Sequence, residues 1–215
     1  MGNTTSEEST MLLESTTEKS TTLLEAAKNG NVELVSQLLN KNIDINEVGK
    51  KGRTALFLAS YKGHIEVIKI LLKAGSDPNI ANEDNETPLY WISQTKNMEV
   101  VKLFLDAGAN PNLSNKHGWT SLYWSVLCNH IAMTKLLLDA GADPNRADNE
   151  GQTPLYWASL REYTTIKTFL LEYGARSDGT ETVETSSESN KKNNIIEGND
   201  VSLHSCQCRR RPFSN

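Results

Sequence analysis

The side chains able to do chemistry in this 215-residue chain are few and scattered. Four histidines are present, His64, His117, His130 and His204, and no serine, histidine and aspartate fall into the arrangement of a nucleophilic triad. The tightest Cys/His cluster is His204-x-Cys206-x-Cys208. Tetrahedral zinc takes four ligands, with paired cysteines spaced more widely than this, so no metal site is expected. Gly49-Lys50-Lys51-Gly52-Arg53-Thr54 carries the residue types of a phosphate-cradling loop. It lacks the G-x-x-x-x-G-K-[ST] spacing and a strand before it, so no nucleotide or other cofactor is expected either. Three Tyr-Trp pairs, Tyr90-Trp91, Tyr123-Trp124 and Tyr156-Trp157, could cage a cation; three copies of one pair fit an inter-repeat stacking ladder more simply. The remaining chemistry is at the start of the chain. Met1-Gly2-Asn3-Thr4-Thr5-Ser6 fits the pattern for myristoylation of Gly2. One acyl chain anchors marginally, and Glu7 and Glu8 repel an anionic surface; Cys206 and Cys208 beside Arg209, Arg210 and Arg211 could add a second attachment. The pattern is not that of an enzyme.

Composition narrows the classes further. Lys and Arg number 22 against 27 Asp and Glu, a net charge of −5, which argues against binding nucleic acid through its phosphates. No apolar run approaches the ~20 residues of a membrane-spanning helix, so a membrane partner is expected only if Gly2 is acylated. The first twenty residues have neither a positive start nor an apolar stretch, unlike a secretory signal. Three cysteines are too few for a disulfide framework, which makes an intracellular, cytoplasmic location the default. Hydrophobic residues make up 37% of the chain, lean for one compact core.

A repeat resolves that leanness. Thr54 in TALFLAS, Thr87 in TPLYWIS, Thr120 in TSLYWSV and Thr153 in TPLYWAS stand at a constant interval of 33, and Thr21 in TTLLEAA continues the series backwards. Gly75, Gly108, Gly141 and Gly174 keep the same interval, each after an apolar run such as Ile65-Glu66-Val67-Ile68-Lys69-Ile70-Leu71-Leu72. Thr caps a helix whose first position suits Pro88 or Pro154. A turn such as Lys62-Gly63-His64 leads to a second helix, which the glycine closes in a left-handed conformation. Asp77-Pro78-Asn79 and its equivalents then turn into the next unit. One such pair cannot bury its own apolar faces, so neighbours must stack. The expected fold is an all-α solenoid of five units, 21–49, 50–82, 83–115, 116–148 and 149–179. Tails at 1–20 and 180–215, rich in Ser, Thr, Glu and Asn, are expected to be disordered. The end units should present polar outer faces, with Glu25, Lys28 and Gln37 on the first and Thr164, Thr165 and Lys167 on the last.

These landmarks resemble the ankyrin repeat. Gly63-His64-Ile65-Glu66-Val67-Ile68 and Ala140-Gly141-Ala142-Asp143 match the family's centre and close almost letter for letter, over roughly residues 21–179. The resemblance implies antiparallel helix pairs, hairpin-like loops at about a right angle, and a concave face on which, with the loop tips, a noncatalytic monomer grips a protein partner. It also implies that His64 and His130 are structural. Departures are visible. The opening histidine is replaced by Phe57, Tyr90, Tyr123 and Tyr156; a tyrosine hydroxyl can still reach the next loop, and Phe57 cannot. Asn85 stands where the loop glycine belongs, and Lys96-Asn97 replaces Gly-His, so the third unit is expected to be looser.

By the same resemblance, partner contacts fall on the loop tips and just after each first helix. In the second unit these are Lys50, Lys51, Arg53, Tyr61 and Lys62; in the third, Glu83, Asp84, Glu86, Gln94 and Thr95. The fourth offers Lys116, His117, Trp119, Leu127 and Cys128, and the fifth Asn149, Glu150, Gln152, Leu160 and Arg161. A basic section gives way to an acidic one and then to an apolar one. Trp119 stands out, because that position otherwise holds Arg, Glu or Gln; it either anchors a partner or packs on the neighbouring loops.

Overall fold

Threonine hydroxyls start the first helix of successive repeats. In the computed structural model, which describes residues 22–41, 43–95 and 97–176, Thr54, Thr87, Thr120 and Thr153 each accept a hydrogen bond from the amide three residues on, at 3.1–3.2 Å. Such caps satisfy one of the donors that a helix start leaves bare. Ten α-helices result among the described residues, and no strand. They pair as α1 (Leu23–Lys28) with α2 (Val32–Leu39), α3 (Ala55–Lys62) with α4 (Ile65–Lys73), and α5 (Pro88–Ile92) with α6 (Met98–Asp106). Then come α7 (Ser121–Leu127) with α8 (Ile131–Asp139), and α9 (Pro154–Leu160) with α10 (Thr164–Glu172).

First helices pack on the first helices of adjacent repeats, and each also packs on its own partner. The core runs continuously between the two rows, from Leu23 and Val35 through Ile68, Phe104 and Leu137 to Ile166 and Leu170. Each fully buried aliphatic side chain contributes about 1.5–3 kcal/mol of transfer free energy, and no single repeat encloses enough of them to stand alone. The glycines that close α4, α6, α8 and α10 sit at φ 83–89°, as the spacing requires.

The asparagines of the inter-repeat turns also tie the repeats along one edge. Asn79 accepts from the amide of Asn110 (2.7 Å) and donates to the carbonyl of Gly108 (3.0 Å). Asn112 does the same with Asp143 and Gly141, and Asn145 with Arg176 and Gly174. These bonds link equivalent points of adjacent units, which is why asparagine recurs there.

Two features depart from the expected period. The first cap is Thr22, not Thr21, accepting from Glu25 at 3.3 Å. Both positions offer a hydroxyl; Leu23 and Ala26 are buried in step with Leu56 and Ala59, so the core keeps the interval of 33 while the cap slips by one residue. In the third repeat α5 stops after five residues. Ser93 and Thr95 bond back to the carbonyls of Tyr90 and Ile92 (3.0 and 2.7 Å), competing with helical hydrogen bonding. The departure seen in this repeat is a shortened first helix, and Asn97 still caps α6 through Val100 N–H.

The polar residues assigned to the outer faces of the end repeats are exposed, but Tyr156, Leu160, Leu171 and Tyr173 of the last repeat are exposed with them. Gly2, His204, Cys206, Cys208 and both tails lie outside the described residues.

Candidate functional site

The loop tips that sequence reading assigned to binding form one linked row. Each closes a hairpin-like turn, from Gly49, Asn82, Asn115 or Asp148 N–H to the carbonyl four residues on, at 2.9–3.0 Å. In three of them the Asx side chain braces the turn. Asn82 accepts from Asp84 and Glu86, Asn115 from His117 and Trp119, and Asp148 from Glu150 and Gln152. Gly49 has no such side chain, and the first tip is a 3-10 turn, Lys50–Gly52, with Lys51 at φ 61°. Asn85 takes the left-handed conformation of the glycine it replaces, at φ 58°.

Consecutive tips hydrogen-bond to one another. Glu83 N–H donates to Lys51 O, Lys116 N–H to Asp84 O, and Asn149 N–H to His117 O, at 2.9–3.1 Å. Asn149 Nδ2 adds a bond to Lys116 O. Lys116 Nζ also lies 2.8 Å from the Asp84 carboxylate across the same step. That hydrogen bond holds Asp84 below its ordinary value of 3.8 and raises Lys116. The lowered value stabilises the step above the unfolded carboxyl's range, and the contribution is lost as pH falls through the folded value. An NMR carboxyl titration should place the Asp84 midpoint below 3.8, and Lys116→Met should move it back up. An unchanged midpoint would mean that the pair does not persist in solution.

Behind the tips runs a band of aromatic rings. Tyr61 meets Trp91 edge-on at 4.7 Å, Tyr90 meets Trp124 at 6.3 Å, and Trp157 Nε1–H donates to the Tyr123 hydroxyl. Each Trp therefore contacts a tyrosine of the preceding repeat. The expected ladder of stacked pairs is instead a Tyr-to-Trp relay with tilted and edge contacts. Trp91 Nε1–H donates to Glu86. Trp119 packs within its own repeat, stacked on Tyr123 (5.6 Å, 14°) and tilted against Trp124 (6.1 Å), while remaining half-exposed. It is thus both packed and reachable. No outside cation is needed to use the ring faces: Arg53 lies over Phe57 and Tyr61, Lys62 over Tyr61, and Arg161 over Trp157.

The replaced histidines behave as their chemistry demands. Tyr90 accepts from Asn115 of the next tip (3.3 Å), and Tyr123 donates to Asp148 of the next tip. Phe57 makes no such bond and is wholly buried. Burial pushes both phenols, Tyr90 and Tyr123, far above the ordinary tyrosine range, and in Tyr123 the Asp148 hydrogen bond adds to it. His64 is structural, its Nε2–H donating to Lys28 O of the first repeat at 3.0 Å. His130 caps α8, accepting from Met133 N–H through Nδ1.

Most of the predicted contact residues are reachable. Lys50, Lys51, Lys62, Glu83, Lys116, His117, Asn149, Glu150, Leu160 and Arg161 are exposed, and Arg53, Tyr61, Asp84, Glu86, Gln94, Leu127 and Gln152 are half-buried. Cys128, after Leu127, is half-buried. Among the described residues no group of His, Cys, Asp and Glu could hold a metal ion, and no helix is long and apolar enough to cross a membrane.

Comparison with known families agrees with this geometry. A family model described as "Ankyrin repeats (3 copies)" matches residues 6–82 and 72–148, and one described as "Ankyrin repeats (many copies)" matches 129–171. No curated protein matches the chain. Repeats with capped helix pairs, bridged tips and two family matches spanning most of the sequence place the chain in the ankyrin-repeat family.

Proposed function

We propose that this protein is a noncatalytic, intracellular interaction module, a monomer that holds a protein partner on its loop tips and the adjoining ends of its first helices. Ankyrin repeats generally serve protein–protein interaction. The observation that carries the reading here is the row of tips. Backbone bonds connect successive tips, and the side chains they present differ from repeat to repeat. A surface held this way loses little conformational freedom on binding. Its role is that of an adaptor, scaffold or inhibitor.

The test is the pair Trp119→Ala and Lys51→Glu. Truncating an aromatic anchor at an interface costs about 2 kcal/mol or more, roughly a thirtyfold loss of affinity. Partners trapped by crosslinking in the native cell should fall by that order in the double variant, with the melting curve still cooperative. Undiminished capture by the folded double variant would remove this face from consideration.

A further inference from the structure

We infer that the basic end of this face is a carboxylate-reading site for an acidic peptide segment of the partner, with Arg53 as the recognising residue; the inference rests on the interaction reading above. Arg53 precedes α3, and its guanidinium lies over Phe57 and Tyr61 of that helix, 5.6 Å from each ring centre. Lys62 brings a second cation to within 5.9 Å of the Tyr61 ring. Among the described residues, neither cationic head has a hydrogen-bonded or ion-paired acceptor, and Arg53 Nε is buried without one. Two of the three carboxylates of the adjoining tip are hydrogen-bonded to other residues, although Asp84 also feels the charges of Lys51 and Arg53. Asp84 is bound by Lys116 at 2.8 Å. Glu86 accepts from Trp91 Nε1 and Asn82 Nδ2, at 3.1 and 2.8 Å. Glu83 is exposed, and its amide is bonded to Lys51 O.

A guanidinium lying over two rings and lacking an acceptor suits one ligand best. Its fork matches a carboxylate through two parallel hydrogen bonds. The rings have already restricted its rotamers, so binding orders little more. Lys50 and Lys51 on the adjacent tip, both exposed, add long-range attraction that salt screens. Beside the cations, half-buried Trp91 offers aromatic surface for an apolar or aromatic neighbour of the acid. The equivalent positions in the next three repeats are Glu86, Trp119 and Gln152. Only the second repeat carries a cation there, which places the peptide's acid at that end of the row.

The experiment is selection of a random dodecapeptide phage library on the immobilised full-length protein, followed by fluorescence anisotropy with the best synthetic peptide. Recovered peptides should be enriched in Asp or Glu next to an aromatic or bulky apolar residue. Arg53→Gln should weaken binding roughly tenfold or more, as expected for charge-assisted hydrogen bonds. Arg53→Lys should restore only part, and Lys62→Gln should give a smaller loss. Replacing the peptide's acid by its amide should cost as much as Arg53→Gln, with no further loss when the two are combined. If Arg53→Gln does not fold, Lys62→Gln and the amide peptide decide the matter. Peptides that bind through Trp119 but carry no acid, or that ignore Arg53→Gln, overturn this inference and leave the interaction reading standing. Recovery of no binding peptide at all overturns both.

Discussion

Phe104→Ala is expected to lower the stability of the array by about 3–5 kcal/mol, the usual range for emptying a buried aromatic site. Phe104 is among the largest fully buried side chains, and it lies on α6 in the central repeat. Its repeat is also the one whose first helix is shortest, five residues in α5 against seven or eight in α3, α7 and α9. A linear array is coupled only through neighbour interfaces. Weakening the middle should therefore separate the two ends as well as lower the total. Urea unfolding should show a lower midpoint and a broader transition with a reduced m-value. Met133→Ala on α8, also fully buried, should cost about 2–5 kcal/mol. A loss below about 1 kcal/mol for Phe104, with the transition as sharp as before, would contradict the idea that the third repeat joins the halves.

What the sequence disclosed, and what it hid, divides along a physical line. Thr54, Thr87, Thr120 and Thr153, and the glycines closing the second helices, were legible because each acts on its own backbone within a few residues. Their period follows from the need to present the same interface to every neighbour. The fold was therefore readable almost whole. Asn79, Asn112 and Asn145 share that period but bond to residues about thirty positions away, so their role emerged only with the stacked structure. Spacing at 33 could have flagged Asn82, Asn115 and Asp148 as well. Ring geometry was harder. Whether Trp91, Trp124 and Trp157 stack on each other or meet tyrosines depends on rotamers, which no periodicity encodes. The same holds for Arg53: its charge was visible, but its seat over Phe57 and Tyr61 was not. Thr22 shows the limit of counting, since two adjacent threonines could each cap, and the one that does stands a residue off the interval that the buried Leu23 and Leu56 keep.

The tips' geometry can be tested without any partner, through one glycine and its repeat equivalent. Gly118 sits at φ 84°, and a Cβ there would lie 2.8 Å from Asp148 Cα and 2.9 Å from Asn149 N. Gly151 occupies the same place one repeat on, at φ 79°, with nothing within 4 Å of that Cβ. Alanine at either position meets the left-handed penalty, about 1–2 kcal/mol. At Gly118 it must also displace backbone of the next tip, adding about 1–3 kcal/mol. Gly118→Ala is thus expected to cost about 2–5 kcal/mol, against 1–2 for Gly151→Ala. The difference between them is the part that belongs to tip-on-tip contact. It acts where Asn149 N–H reaches His117 O and where Trp119 follows directly in the chain, so the surface proposed for binding is distorted along with the stability. Hydrogen exchange should show the Asn149 amide losing protection in Gly118→Ala and keeping it in Gly151→Ala. Equal destabilisation by the two, with Asn149 protected in both, would mean that the tips lie beside one another without bearing on one another, and the preformed row on which partner recognition depends would have no physical basis.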